Sequence, residues 1–155
     1  MNYQYRIWDS YLGRILYVLE LNYIPEGFDK YNNLRLRVDY IRALDTEKHE
    51  IHVYQGAELD EIVLERCTQK QDKNGRLFYD GDIIKTEKGN YQEVVDYQAE
   101  IGGKGEKLVS QFSAFPFGYN DMELKDIVTY KLSKTDEIVG EYHTFKLPKG
   151  VIENG

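Results

Sequence analysis

The stretch Gln69–Ile84, QKQDKNGRLFYDGDII, decides the fold prediction because it places Asp, Asn and Gly residues on both sides of a short apolar run. Clustered carboxylates suggest a metal-binding loop, but Asp, Asn and Gly are also typical of tight turns. Asn-Gly is a strong hairpin signal, since both central residues of a type I′ turn need positive φ. We therefore predict a hairpin at Asn74-Gly75, with Asp72 accepting hydrogen bonds from turn amides, and a second turn at Gly81 before the strand DIIK.

A metal site in this stretch has two conceivable forms. A helix–loop–helix calcium loop that starts at Asp72 needs ligands at positions five and twelve, where Arg76 and Ile83 stand instead. Asp80 and Asp82 lie two residues apart and could share a hard cation from one face of a strand. No third ligand is evident, so we predict that YDGD is a turn and that the chain has no catalytic, cofactor-binding or metal residues. A metal-dependent hydrolase that uses this Asp pair is a less favoured alternative.

Alternating apolar and polar residues predict a mainly β protein of the α+β class. In residues 1–56, YRIWD and RILYVLEL predict a β-hairpin, and IPEGF, with Pro25 and Gly27, predicts a break after it. Residues 33–44 fit a strand or one face of a helix, and we favour the strand. HEIHVYQG predicts a further strand, which follows a turn at TEKH.

Short strands and tight turns dominate the sequence after Gly56. They predict a small twisted SH3-like β-barrel over residues 57–145, followed by a tail at 146–155. DMELKDIV is the best candidate for a short helix. The glycine-rich IGGKGEK lacks the spacing of a phosphate-binding loop and predicts a hairpin loop.

Aromatic residues indicate a possible protein interface. Tyr alone accounts for 14 of 155 residues, and Tyr favours half-buried sheet surfaces and protein contacts. FSAFPFGYND gathers several rings around a proline, and core packing and an exposed contact surface explain it about equally well. The possible interface residues are Phe115, Pro116, Phe117 and Tyr119.

The charge and the cysteine content exclude several classes of protein. The net charge of -7 argues against direct nucleic-acid binding, because that affinity comes mainly from neutralised phosphates. No segment is long and apolar enough for a membrane span, and the amino terminus does not resemble a secretory signal. Cys67 is the single cysteine, which fits a reducing cytoplasm and a buried strand position. His49 and His52 are expected to be structural.

Three segments resemble the YopX family of phage and prophage proteins. TQKQDKNGRLFYDGDII, after the apolar strand EIVLERC, is similar to a TGLKDKNG-like turn that leads to an IYEGDIV-like strand. YRIWD resembles the family's FRAWD-like amino-terminal strand, and EIVGEYHTF resembles its EVIGNIYEN-like carboxy-terminal strand. The residues that carry this signature are Asp72, Asn74, Gly75, Tyr79, Gly81, Asp82 and Gly140.

The resemblance implies a mobile-element origin and a bacterial cytoplasmic location, and it offers no catalytic residues to transfer. We therefore expect a non-enzymatic phage-type accessory protein that acts through a protein partner or as a homo-oligomer, without cofactor, membrane or small-molecule substrate. The alternative is an acidic DNA mimic that occupies a host nucleic-acid-binding protein.

Overall fold

The structure is a computed structural model that describes residues 3–101 and 107–149, with ten strands in those ranges. Short 3-10 helices span Gly56–Glu61, Tyr119–Asp121 and Leu124–Asp126. The mainly β prediction is therefore confirmed, and so is the strand at residues 33–44. The candidate short helix in DMELKDIV is found only as a single 3-10 turn at Leu124–Asp126. The strands are β1 Tyr5–Asp9, β2 Arg14–Phe28, β3 Leu34–Asp45, β4 Glu50–Gln55, β5 Ile62–Gln71, β6 Leu77–Tyr79, β7 Asp82–Lys85, β8 Tyr91–Ile101, β9 Lys107–Pro116 and β10 Glu137–Glu141.

The chain forms two compact units. Unit 1 comprises Met1–Arg66 and Glu100–Leu108, and unit 2 comprises Cys67–Ala99 and Val109–Gly155. Each unit has its own buried apolar cluster. The core of unit 1 contains Ile7, Leu16, Val18, Ile41, Ala43 and Tyr54, and that of unit 2 contains Phe78, Ile84, Val94, Ala114 and Leu132.

Unit 1 is an antiparallel sheet with the strand order β4-β3-β2-β1-β5. The predicted amino-terminal hairpin is confirmed, because β1 pairs with β2 from Arg6↔Tyr17 to Asp9↔Arg14. On its other side β1 pairs with β5, where Arg6 lies directly opposite Glu65. Arg6 Nε donates to Glu65 Oε1 at 2.7 Å, and both side chains are more than nine-tenths buried.

The predicted break at IPEGF was wrong, because β2 runs through it to Phe28. Pro25 and Gly27 are tolerated since the β2–β3 register is irregular between Pro25 and Phe28, and Gly27 takes a φ of 103° there. A proline lacks a ladder donor and is accommodated at such bulges. The predicted turn at TEKH is present between β3 and β4, with Asp45 Oδ1 accepting from the amides of Glu47 and Lys48.

Unit 2 contains the sheet β10-β7-β8-β9, and the second half of β5 pairs there with β6. The predicted SH3-like barrel is not confirmed, because among the described residues both sheets have open ends and neither closes on itself. Closure depends on strand tilt and register stagger, which a succession of short strands does not reveal. The predicted glycine-rich loop IGGKGEK covers residues 101–107, and residues 102–106 of it lie outside the described ranges. Residues 150–155 of the predicted tail also lie outside them.

The Asn74-Gly75 hairpin is present between β5 and β6, but the type I′ assignment was wrong. Gly75 has a φ of 80°, whereas Asn74 is not among the residues with positive φ. The Gly75 amide donates to the Asp72 carbonyl at 3.1 Å, and the Asp72 amide donates to the Arg76 carbonyl at 2.7 Å. The turn is therefore a type I turn followed by a left-handed glycine, the usual three-residue hairpin loop.

Candidate functional site

Asp72 organises the signature stretch. Its side chain is fully buried, and Oδ1 accepts from the amides of Asn74 and Arg76, each at 2.9 Å. Oδ2 accepts from the Ile138 amide at 3.1 Å, so the carboxylate joins the β5–β6 turn to β10. Burial by itself raises the pKa of Asp72, but the amides of Ile138, Arg76 and Asn74 outweigh it and the net pKa is lowered. The predicted acceptor role of Asp72 is confirmed.

The Asp80 and Asp82 carboxylates serve backbone geometry. Asp82 is buried and its Oδ2 accepts from the Tyr79 amide at 2.7 Å, while Asp80 Oδ1 accepts from the Asp96 amide at 3.1 Å. Gly81 between them has a φ of 92°, as the predicted turn requires. Within residues 3–101 and 107–149, no group of three or more His, Cys, Asp or Glu side chains is placed to hold a metal ion.

Gly140 is needed because an aromatic ring lies against its backbone. A Cβ atom at this position would stand 2.6 Å from Cδ1 of Phe145, much closer than two carbons can approach. The same ring packs edge-on against Phe117, with 5.4 Å between centroids, and lies 5.7 Å from Tyr91. The carboxy-terminal signature residue thus permits close packing of Phe145.

The predicted interface residues are half-buried, and two of them, Phe115 and Tyr119, contact each other. Phe115 and Pro116 end β9, and Phe115 packs edge-on against Tyr119 at 4.9 Å between centroids. The Phe117 amide donates to the Tyr91 carbonyl at 3.1 Å. These contacts lie within unit 2, and the interface at these residues stays a prediction.

A buried polar network occupies one end of unit 1. Asp45 is inaccessible to solvent and accepts from Arg14 Nε at 3.0 Å, and Tyr54 donates its hydroxyl to Asp9 Oδ2 at 2.6 Å. The hydrogen bond from Arg14 lowers the pKa of Asp45 to about 2, although burial opposes the shift. His52 stacks on Tyr54, and its Nε2 lies 4.0 Å from Asp45 Oδ2.

This network predicts a particular loss of stability in acid. The pKa of Asp45 is about 2 in the folded protein, and that of an unfolded Asp is about 3.9. Its ionised form therefore stabilises the fold fully above about pH 4, and this contribution disappears as the pH falls towards 2. We expect Asp45→Asn to flatten the decline of the thermal midpoint across this interval, whereas Asp39→Asn, on the exposed part of β3, should leave the decline unchanged. Equal declines in both variants and the wild type would disprove the assignment.

The most distinctive surface is a two-stranded extension of the unit 1 sheet, here called the ribbon: residues 23–28 of β2 and 34–39 of β3. Pairing of β1 with β2 ends at Tyr17, and pairing of β4 with β3 starts at Tyr40, so in the described ranges the ribbon strands pair only with each other. An isolated two-stranded ribbon is at best marginally stable in water. Its side chains therefore call for explanation.

The ribbon has one apolar face. Directly paired residues share a face of a sheet, and the register pairs Tyr23 with Val38, Pro25 with Leu36, and Phe28 with Leu34. The six side chains of this face, called the apolar face, are thus all uncharged. The exposed fractions are 42% for Tyr23, 65% for Phe28, 55% for Leu34 and 51% for Leu36.

The opposite face of the ribbon carries charge. Arg35 and Arg37 alternate with the leucines along β3 and are exposed. The alternation was visible in NNLRLRV, but an alternating strand usually buries its apolar side, and the sequence did not indicate that this side lacks a cover. The interface residues predicted from the sequence, at positions 115–117 and 119, belong to unit 2 and not to the ribbon.

No family model matches the chain, and no curated protein matches it. Among solved structures, the chain is similar to protein EF1440 from Enterococcus faecalis, with 16% sequence identity, a TM-score of 0.33, and coverage of 90% of this chain and 92% of that chain. A likeness at this level carries no inference about function. In the part of the chain that the structure describes, no helix has the length and apolarity that a membrane crossing requires.

Proposed function

We propose that the protein is a non-enzymatic interaction protein that associates with a second copy of itself through the apolar face of the ribbon. The observation that carries this proposal is the largely exposed apolar face, on which all three register pairs that share the face are uncharged. In keeping with the YopX resemblance, the setting we propose is that of a phage or prophage accessory protein in a bacterial cytoplasm.

The exposed apolar area supports an interface. Taking about 200 Å² for each large side chain, the exposed parts of Tyr23, Phe28, Leu34 and Leu36 sum to roughly 400 Å². This is as large as the biggest apolar patch on a typical monomer, and about half of what each partner contributes to a standard interface. The ribbon backbone and the neighbouring polar side chains can supply the remainder.

A second copy is the occupant that the charges favour. The apolar face carries no ionised group, so two copies can lie face to face about a two-fold axis without bringing like charges together. Arg35 and Arg37 then stay on the outer, solvated side of each ribbon. An acidic partner would favour the arginine face and leave the apolar face exposed.

The non-enzymatic part of the proposal is supported by how the carboxylates are used. Asp45, Asp72, Asp82 and Asp136 are all buried and accept hydrogen bonds from backbone amides in turns. Such carboxylates fix loop geometry and are not directed into a cleft. The acidic DNA-mimic alternative has less support for the same reason. A DNA mimic presents carboxylates at its surface in positions that resemble phosphates, whereas these four carboxylates are buried.

The proposal predicts that Leu36→Glu abolishes self-association. We expect the wild type at about 100 µM to have twice the mass of one chain by light scattering, and the variant to have the mass of a single chain, because a buried unpaired carboxylate costs several kcal/mol. Ile51→Glu is the matched control, since Ile51 is 57% exposed on β4 of the same unit but lies outside the ribbon.

Two outcomes would contradict this assignment. One is a wild type that stays monomeric up to about 1 mM, a concentration that corresponds to only about 4 kcal/mol of association free energy. The other is an equal loss of association in both glutamate variants. Circular dichroism of each variant shows whether the sheet is retained.

A further inference from the structure

We infer that unit 2 binds a nucleotide, with its phosphates in a lysine-lined cleft and its base in an adjoining depression. The cleft has a volume of about 650 Å³ and lies between the β5–β6 turn, the β7–β8 turn and the segment before β10. Its cationic lining residues, one or two from each of these segments, are Lys73, Lys85, Lys88 and Lys134.

The cleft is positively charged on a negatively charged protein. Its lining includes four lysines and two glutamates, in a chain whose net charge is -7. Lys73 Nζ lies 3.5 Å from Glu137, and Lys85 Nζ lies 5.8 Å from the centre of the Tyr91 ring. Within the described ranges Lys88 and Lys134 form no ion pair. Like charges gathered in this way repel each other, and a bound polyanion removes that repulsion.

Backbone hydrogen bonds hold the walls of the cleft in place. The Lys73 amide donates to the Asp136 carbonyl at 2.9 Å, which ties the β5–β6 turn to the segment before β10. In the β7–β8 turn the Thr86 amide donates to the Asn90 carbonyl at 2.8 Å, and Thr86 Oγ1 accepts from the Asn90 amide at 3.1 Å. The lysine stems thus start from fixed positions, which reduces the ordering that a ligand must impose.

A second depression of about 380 Å³ adjoins the cleft and shares Lys134 with it. Its apolar lining residues are Phe78 and Leu132, which belong to the buried cluster of unit 2, and Gln69 and Gln71 line it with amides that can donate to and accept from the edge of a base. The volume of each cavity falls within the range of small-ligand sites.

The ligand inferred here is a free nucleotide and not a nucleic acid. Binding a long phosphate backbone requires an extended basic surface, whereas these four lysines line one short cleft. The protein's net negative charge repels the rest of a long polyanion. A nucleoside triphosphate places all its charge within the cleft.

Calorimetric titration with ATP, tripolyphosphate and adenosine tests this inference. At about 50 mM salt we expect ATP to bind with a Kd of about 10–100 µM and tripolyphosphate about tenfold more weakly, because it lacks the base. Lys88→Ala with Lys134→Ala should weaken ATP binding at least about tenfold, since two charge-assisted contacts are lost. Lys125→Ala with Lys131→Ala is the control, because it removes the same charge outside both cavities.

Three results of these titrations would overturn the inference in whole or in part. Tripolyphosphate binding as tightly as ATP would overturn the assignment of a nucleotide. Equal ATP affinity in the two double variants, or ATP binding weaker than about 5 mM in the wild type, would overturn the site itself. If circular dichroism shows that the Lys88 and Lys134 double variant is unfolded, Lys88→Ala alone provides the comparison, with an expected loss of about threefold.

Discussion

Replacing Glu65 with alanine is expected to lower the free energy of unfolding of unit 1 by about 3–5 kcal/mol. Glu65 lies directly opposite Arg6 in the β1–β5 ladder, and the two side chains are joined by a 2.7 Å ion pair in the interior. Removing the carboxylate leaves the Arg6 guanidinium buried beside a cavity. The single tryptophan, Trp8, lies on β1. Its fluorescence during urea unfolding therefore follows the affected sheet.

An exposed ion pair provides the control for this expectation. Lys125 and Glu123 are 3.2 Å apart, but about three-quarters of each side chain is exposed, so Glu123→Ala should change stability by less than about 1 kcal/mol. Replacing both Arg6 and Glu65 with leucine should recover much of the loss, because no unpaired charge is then buried. A Glu65→Ala variant that unfolds at the wild-type urea concentration would show that the buried pair is unimportant.

Replacing Asp72 with alanine is expected to destabilise unit 2 by about 2–4 kcal/mol. Without the carboxylate, three backbone amides lose their hydrogen-bond acceptor. They are the amides of Asn74, Arg76 and Ile138. Hydrogen exchange at these three amides should accelerate together, because two of them lie in the β5–β6 turn and the third lies in β10. Urea unfolding followed by circular dichroism measures the total effect.

Two further variants separate the role of Asp72 from a general effect of losing charge. Asp72→Asn keeps one acceptor oxygen but presents an amide group to a backbone donor, so it should fall between alanine and the wild type. Asp121→Ala removes an exposed carboxylate in the same unit and should alter stability by less than about 0.5 kcal/mol. An Asp72→Ala effect as small as that of Asp121→Ala would be inconsistent with the hydrogen-bond geometry.

The sequence predicted those parts of the fold that depend on local pattern. Alternation along YRIWD and the turn residues before DIIK located strands, and the Asp72 to Gly75 segment located a hairpin, because each signal acts over a few neighbouring residues. The turn type was wrong because Asn74 tolerates either sign of φ, and the hydrogen bonds to Asp72 favour the negative one. Local pattern also missed the continuation of β2 through Pro25.

Features that join distant segments could not be predicted in the same way. Arg6 and Glu65 become partners only through the register of β1 on β5. The lysine cleft arises from three separate turns, and in the sequence its cations are scattered among acidic residues. Such arrangements follow from the fold and carry no local signal. The barrel prediction failed for the same reason, since sheet closure is a long-range property.

The irregular register of β2 also limits how large an assembly can grow. Exposed edges of long, regular strands are templates for amyloid-like stacking, because each added chain presents a fresh row of unpaired amides and carbonyls. In β2, register shifts after Val18, Asn22 and Pro25 interrupt that row, and Pro25 has no amide hydrogen to offer. Open-ended fibril growth along the β2 edge is therefore disfavoured, while packing of the apolar faces is unaffected. The same fifteen-residue strand thus carries three residues of the proposed self-association surface and, through its irregular register, disfavours open-ended growth along its edge.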